Sequence, residues 1–227
     1  MDITHLDQSQ RHLKGFTLSN KKSTKKKTER RFRGLTMPTS SHPAIRAVRR
    51  KGHEPSIHGN KLWKSSCLLI DYLKHNPPEH AETVLDVGCG WGISGIWCAK
   101  KLGSQVTSVD ADPSVFPFLK ATAELNGVST TPLVSRFEKL SKKKLANYDM
   151  LIAADICFWD ELVDPVYNMV NRAVKAGVKK IIIADPERPT FHEMAERCVE
   201  KHAAEVIEWS TSKQIKASGA LLVLENA

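Results

Sequence analysis

The chain has 227 residues, of which 41% are apolar and 26% charged, enough for one well-buried α/β core plus an arm, and no run approaches the roughly 18 apolar residues of a membrane span. Its net charge of +9 is unevenly placed: residues 1–51 hold 14 Lys/Arg against 3 Asp/Glu, a balance of +11, while the remainder holds 20 against 22. The basicity therefore belongs to the N-terminal segment and not to the body of the protein. The opening residues Met1-Asp2-Ile3-Thr4-His5 lead into polar sequence and not into the apolar core of a secretion signal. The cysteines (Cys67, Cys89, Cys98, Cys157 and Cys198) are odd in number and scattered, and without a C-x-x-C pair they suggest neither a metal site nor a disulfide framework. A reducing, cytoplasmic setting is expected, and a monomer.

Residues 1–58 read as a basic, partly flexible arm. The block Lys21-Lys22-Ser23-Thr24-Lys25-Lys26-Lys27 has too little apolar surface to fold alone. Such a block can bind nucleic acid, an acidic partner or anionic lipid through counterion release, although no interleaved aromatics support base stacking. Phe32, Leu35, Met37, Pro38, Ile45 and Val48 are apolar enough for residues 32–58 to dock on the following domain, where they could cap its site. From residue 59 to 227 the pattern is that of one domain. Apolar positions at 62, 63, 66–67, 69–70 and 73 predict a helix, ended by Asn76-Pro77-Pro78. Trp63, early in that helix, is either core or a wall of a pocket.

Strands and helices then alternate. Strands are predicted at 83–87, 105–109, 131–134, 149–153 and 179–184, with helices at 92–102, 113–126, 160–176 and 190–202. Two final strands lie near 204–209 and 219–225. Continuous apolar strands alternating with helices predict a parallel sheet covered on both faces. The last two strands have no helix between them, so they must form an antiparallel hairpin.

The stretch Thr83-Val84-Leu85-Asp86-Val87-Gly88-Cys89-Gly90-Trp91-Gly92-Ile93-Ser94-Gly95 organises the domain. It is a strand that ends at an acid, breaks into glycines and enters a helix. Glycines let a backbone approach a ligand, and the first N–H groups of a helix are unpaired and face it. Gly90-x-Gly92-x-x-Gly95 with Asp110 about 20 residues on also satisfies the dinucleotide fingerprint. Against that reading, Asp86 stands where such sites carry an apolar residue, no second mononucleotide-binding half follows, and no separate substrate domain is present.

Val84 to Gly92 resembles the first motif of the class I, seven-β-strand methyltransferases that use S-adenosylmethionine. Val106-Thr107-Ser108-Val109-Asp110-Ala111-Asp112-Pro113 resembles their second. The motif order and the terminal hairpin match from about residue 60 onward. The resemblance implies a Rossmann-like, seven-stranded, mostly parallel sheet with helices on both faces and a C-terminal antiparallel hairpin. It implies that Asp86 positions the methionine ammonium and that Gly88, Cys89 and Gly90 lend backbone to the methionine and ribose. It also implies that Asp110 accepts both ribose hydroxyls, and that Ala111 and Ser135-Arg136-Phe137-Glu138 frame the adenine. Phe137 either stacks on the base or is core. Trp91 replaces a smaller residue and flanks the methionine moiety.

The acceptor is addressed after the fourth strand of this series. Ala154-Asp155-Ile156-Cys157-Phe158-Trp159-Asp160-Glu161 resembles the D-x-x-Y segment of seven-strand protein lysine methyltransferases, with Phe158 in the tyrosine place. Asp185-Pro186-Glu187-Arg188-Pro189 resembles the Asp-Pro-Gly-Arg-Pro of the group that acts on the electron transfer flavoprotein β-subunit and its bacterial relatives. Glu187 stands in the glycine place. The resemblance implies N-methylation of a protein lysine, with Asp155 holding the amine or binding cofactor, and Trp63 and Phe158 on the substrate side. Two alternatives stay open: a small-molecule or RNA N-methyltransferase, and a non-catalytic cofactor-binding protein with a nucleic-acid-binding arm.

Overall fold

The computed structural model describes residues 27–55, 61–211 and 214–226. Its centre is the predicted sheet. Strands β3 (Thr83–Val87), β4 (Gln105–Asp110), β5 (Thr131–Val134), β6 (Met150–Ala154), β7 (Lys180–Asp185), β8 (Glu205–Thr211) and β9 (Ala217–Glu225) stand in the order β5-β4-β3-β6-β7-β9-β8. The first five are parallel, and β9 runs antiparallel between β7 and β8. The chain reaches the sheet edge as half-exposed β8, then doubles back so that the more apolar β9 takes the buried place.

Two faces explain why the central strands carry apolar residues at nearly every position. Val84, Val106, Ile152, Ile182 and Leu221 pack on one face under α2 (Ser65–His75), α3 (Ile93–Lys101) and α4 (Phe116–Asn126). Leu85, Val109, Leu151, Ile181 and Leu222 pack on the other, under α6 (Val163–Ala176) and α7 (Pro189–His202). Successive strand residues point to opposite faces, so a strand covered on both sides must be apolar throughout. At β3 and β6 the sheet is stapled by Asp149, whose Oδ2 accepts from the Thr83 N–H at 3.0 Å and the Thr83 hydroxyl at 2.8 Å.

Three boundaries differ from the sequence reading by three residues or more. Residues 113–115 and 160–162 form 3₁₀ turns before α4 and α6. The helix predicted from residue 61 begins at Ser65. Leu62 packs instead beside Ile45, Trp91 and Phe118, and Trp63 turns into a cleft. Tertiary contacts there outweigh helical propensity.

The apolar half of the expected arm packs on the domain. Strands β1 (Glu29–Phe32) and β2 (Leu35–Pro38) form a hairpin, followed by α1 (Pro43–Arg50). The two-residue turn Arg33-Gly34 has both φ angles positive, 46° and 85°, as the right-handed strand twist requires of so short a loop. Phe32, Leu35 and Met37 are buried with residues of α2 and α3. Arg33 locks the turn in place. Its Nε donates to buried Asp71 Oδ1 at 2.5 Å, its N–H to Gln214 Oε1 at 2.9 Å, and its carbonyl accepts from Trp97 Nε1 at 3.3 Å. Asp71 Oδ2 also accepts from Trp209 Nε1 at 3.2 Å. Asn126, read from sequence as part of a helix stop, is buried at the end of α4 and exchanges two hydrogen bonds with the Thr36 backbone, both 2.9 Å. Ile45 of α1 packs against Trp91 and Phe118, so α1 backs the glycine loop from behind; no residue of 27–55 lines the cleft in front of it. The lysines at 21–26 lie outside the described residues.

Phe32 is fully buried, and truncating such a ring costs about 3–5 kcal/mol. Phe32→Ala is expected to lower the midpoint of the whole urea transition. An unchanged midpoint would show that the hairpin melts separately.

Candidate functional site

The C-terminal ends of β3, β4 and β6 open on one cleft of about 330 Å³, the edge at which open α/β sheets bind ligands. At its inner end, β3 stops at Val87 and the chain turns through Gly88 at φ 66°. A Cβ on Gly88 would come within 2.5 Å of Ile156 Cγ2, so the turn and the neighbouring loop both demand glycine. A Cβ on Gly90 would meet nothing within 4 Å; it would point into open space. The Cys89 N–H donates to the Val109 carbonyl at 2.9 Å, and the Gly92 N–H to the Cys89 carbonyl at 2.7 Å. These bonds hold the loop against β4. Helix α3 then begins with no side-chain cap at Gly92 and no acid in its first turn. Its N-terminal residues Gly92, Ile93 and Ser94 border the cleft. The partial positive charge of that helix end is thus left for an incoming group.

Two acids frame the loop. Asp86, 3% exposed, accepts from the Gly95 N–H at 3.1 Å. Burial pushes its carboxyl up to about 7, opposed by that hydrogen bond and reinforced by the charge of Asp110. Asp110 accepts from the Gly90 N–H through Oδ2 and the Asp112 N–H through Oδ1, both at 3.0 Å. Burial raises its pKa too. Each Asp110 oxygen has spent one acceptor site on backbone and keeps another, the arrangement suited to a pair of vicinal hydroxyls. A buried acid suits the cationic part of a ligand, and the helix N-terminus beside it suits an anionic part such as a carboxylate. This donor and acceptor set fits S-adenosylmethionine, with ammonium, sulfonium and ribose.

Asp86, Gly88, Cys89, Gly90, Trp91, Asp110, Ala111, Phe137, Trp63 and Phe158, separated by up to 95 positions in the chain, all border this one cleft. Phe137 both lines the cleft and packs on the core, so its two readings are compatible. The ring of Trp91, 2% exposed, stacks on Phe118 with centroids 5.4 Å apart and planes 8° from parallel. At the outer end stand Lys61, Trp63, Phe158 and Trp159. Phe158 and Trp159 meet edge to face at 4.8 Å, and the Lys61 ammonium lies 4.0 Å from the Trp63 ring centre. Lys61, Ile156, Trp159 and Leu162 were not singled out from sequence. Trp159 lay next to the D-x-x-Y segment, and that proximity was the available signal.

Asp155 is placed differently. Ala154 and Ile156 line the cleft and Asp155 does not. Its backbone is left-handed, with φ 61°, and its Oδ1 pairs with Arg188 Nη2 at 2.7 Å. Arg188 also pairs through Nη1 with Asp185 Oδ2 at 2.7 Å, and its N–H donates to Asp185 Oδ1 at 2.8 Å. Burial holds the Asp185 carboxyl up at about 6. Asp155 Oδ2 is buried and has no hydrogen-bond partner among the described residues. A second staple ties the same two loops: the Thr190 hydroxyl donates to the Cys157 carbonyl at 2.5 Å. The segment 154–159, which lines the cleft, is therefore fastened to 185–190 behind it.

Asp86 makes its own pH dependence. Its folded pKa of about 7 lies above the unfolded carboxylate value of about 3.9. Its favourable contribution is thus complete below the unfolded value and is lost as pH rises toward 7. Asp86→Asn, which keeps an acceptor for Gly95, should be more stable than wild type above pH about 7 and lose that advantage in mild acid, measured by cofactor-free melting. A pH-independent difference would refute the assignment.

A family model described as "Lysine methyltransferase" matches residues 46–205, well over half of the chain. Among curated relatives, the electron transfer flavoprotein beta subunit lysine methyltransferase of Danio rerio is 27% identical over 132 residues, covering 58% of this chain and 50% of the relative. The ribosomal protein L11 methyltransferase of Dechloromonas aromatica (strain RCB) is 32% identical over 130 residues, covering 55% of this chain and 36% of the relative. The chain spans about half the length of the first of these. Among solved structures, the SAM-dependent methyltransferase from Agrobacterium tumefaciens superposes with a TM-score of 0.56 at 15% identity, covering 77% of this chain and 70% of that one, a likeness of fold alone. With the seven-stranded order, the uncapped helix and the Asp86–Asp110 pair in place, the chain belongs to the lysine methyltransferase family.

Proposed function

We propose that this protein N-methylates a lysine side chain of another protein, using S-adenosylmethionine. The observation that carries the reading is the outer end of the cleft. There an ammonium, that of Lys61, already lies over the face of Trp63 at 4.0 Å, with Phe158 and Trp159 beside it. Aromatic faces attract a cation and also pack on the aliphatic stem of a lysine. Both relatives described above are named for protein substrates, which supports a protein acceptor. The five cysteines are all free thiols, which supports the cytoplasmic reading.

S-adenosylmethionine supplies a methyl group already activated by its sulfonium. What remains for the chain is binding, alignment and exclusion of water. Asp86 would hold the cofactor ammonium, Asp110 would accept the ribose hydroxyls, and Phe137 with Ala111 would border the adenine. Trp63 and Phe158 guide the acceptor stem and keep water from its path. Asp155 stands behind the cleft wall, one oxygen held by Arg188 and the other without a partner among the described residues. Its assigned part is to position the loop that carries Phe158, not to deprotonate the amine.

Asp110→Ala removes the acid that ties Gly90 to β4 and would accept the ribose hydroxyls. Calorimetric titration with cofactor should show a loss of roughly a hundredfold or more in affinity, and unchanged affinity would remove this assignment. For the acceptor, transfer from tritiated cofactor to cell-extract protein should yield a protease-sensitive band whose label resides in methyl-lysine. An RNase-sensitive signal would point to RNA instead. Asp155→Asn should keep cofactor affinity and lower turnover by roughly a hundredfold. A variant that melts earlier yet turns over normally would reduce Asp155 to a partner of Arg188.

A further inference from the structure

A second depression, about 1180 Å³ and open, lies between the N-terminal hairpin, the start of α2 and the β8–β9 connection. Five cations line it: Lys27, Arg30, Arg31, Lys64 and Lys216, all exposed. The single acid among the described lining residues, Glu29, is engaged by Arg31 at 3.6 Å and His42 at 3.8 Å. Lys27, Arg30, Lys64 and Lys216 make no ion pair with a carboxylate among the described residues. So dense a cluster of like charges repels itself unless an anion neutralises it. The cations come from three separate parts of the chain, so the fold and not a basic run assembles them.

The groove adjoins the cleft. Lys61, Leu62 and Trp63 line the cleft, and the next residue, Lys64, lines the groove. Among the described residues no aromatic lines the groove, so they offer no stacking platform of the kind that single-stranded nucleic acid uses. Arginine and lysine side chains at a rim do bind carboxylates, with arginine taking them in a fork. We infer that the groove docks an acidic segment of the protein substrate next to the lysine presented to the cleft. This rests on the lysine-acceptor reading given above. It adds a condition on the substrate: glutamate or aspartate residues beside the modified lysine, in sequence or across its surface.

Fluorescence anisotropy on the full chain without cofactor tests it, with three probes of equal length: a lysine peptide flanked by glutamates, the same peptide flanked by glutamines, and oligouridylate. Wild type should bind the glutamate peptide best, more weakly as salt rises. Arg30→Glu combined with Lys216→Glu, which leaves residues 1–26 untouched, should weaken that binding about tenfold while keeping cofactor affinity and melting temperature. The milder Arg30→Gln with Lys216→Gln serves if the reversal disturbs folding. The same variant should label less protein in cell extract. Equal binding of the two peptides, or an unaffected variant, overturns the inference. Tighter oligouridylate binding that the variant loses also overturns it and assigns the groove to nucleic acid. Peptide binding is read without methyl transfer, so it survives a failure of the lysine reading. A methyl-lysine band undiminished in the variant would leave that reading intact and remove this one.

Discussion

The first turn of α3 lies against the end of β3 with almost nothing between them. The Gly95 N–H reaches Asp86 Oδ2 at 3.1 Å, and a Cβ on residue 95 would stand 2.8 Å from that oxygen and 2.9 Å from Val106 Cγ1. Only glycine permits this approach. It fixes the orientation of a buried carboxylate that would otherwise be costly to keep charged. It also aims the uncapped end of α3 across the glycine loop at Asp110. The set of the Asp86 carboxyl at the inner end of the cleft depends on that contact, which partly opposes the upward shift that burial imposes on its pKa.

Around it the protein places its strain in two segments fastened to each other, one of which lines the cleft. Asp155 and Glu187 both have left-handed backbones, φ 61° and 71°, a cost of about 1–3 kcal/mol each. Asp tolerates this conformation; Glu does so less well. The glycine of the segment that 185–189 resembles marks the same backbone need, and Glu187 meets it with a side chain attached. Arg188 offsets the cost by bridging Asp155 and Asp185, neutralising two buried acids at once. The loop bearing Phe158 is thereby coupled to the start of α7.

The N-terminal hairpin shows how an element can belong to the core without looking like it. Its basic residues place it with the lysine-rich sequence before it, yet Phe32, Leu35 and Met37 are buried and Arg33 reaches Asp71 and Gln214. It supports the site from behind through α1 and Trp91 and contributes cations beside the cleft mouth. Structural support and charge share one short ribbon: Phe32 is buried at the end of β1 while Arg30 and Arg31 before it stay exposed.

The sequence by itself determined the seven strands, the covering helices, the terminal hairpin and the acid–glycine–acid frame of the cofactor cleft. These are written in local patterns: apolar runs, helical periods, and glycines between Asp86 and Asp110. Burial on two faces dictates composition at every strand position, so such elements can be read one residue at a time. Only the tertiary structure decided that Trp63 leaves the helix to face the cleft, that Asp155 turns to Arg188, and that Arg30, Lys64 and Lys216 share a groove. The Arg33-Gly34 turn was equally hidden, because arginine is a weak turn signal and its partners lie 38 and 181 residues away. Where a loop side chain points depends on the partner that can satisfy its charge or bury its ring, and that partner is chosen by the fold.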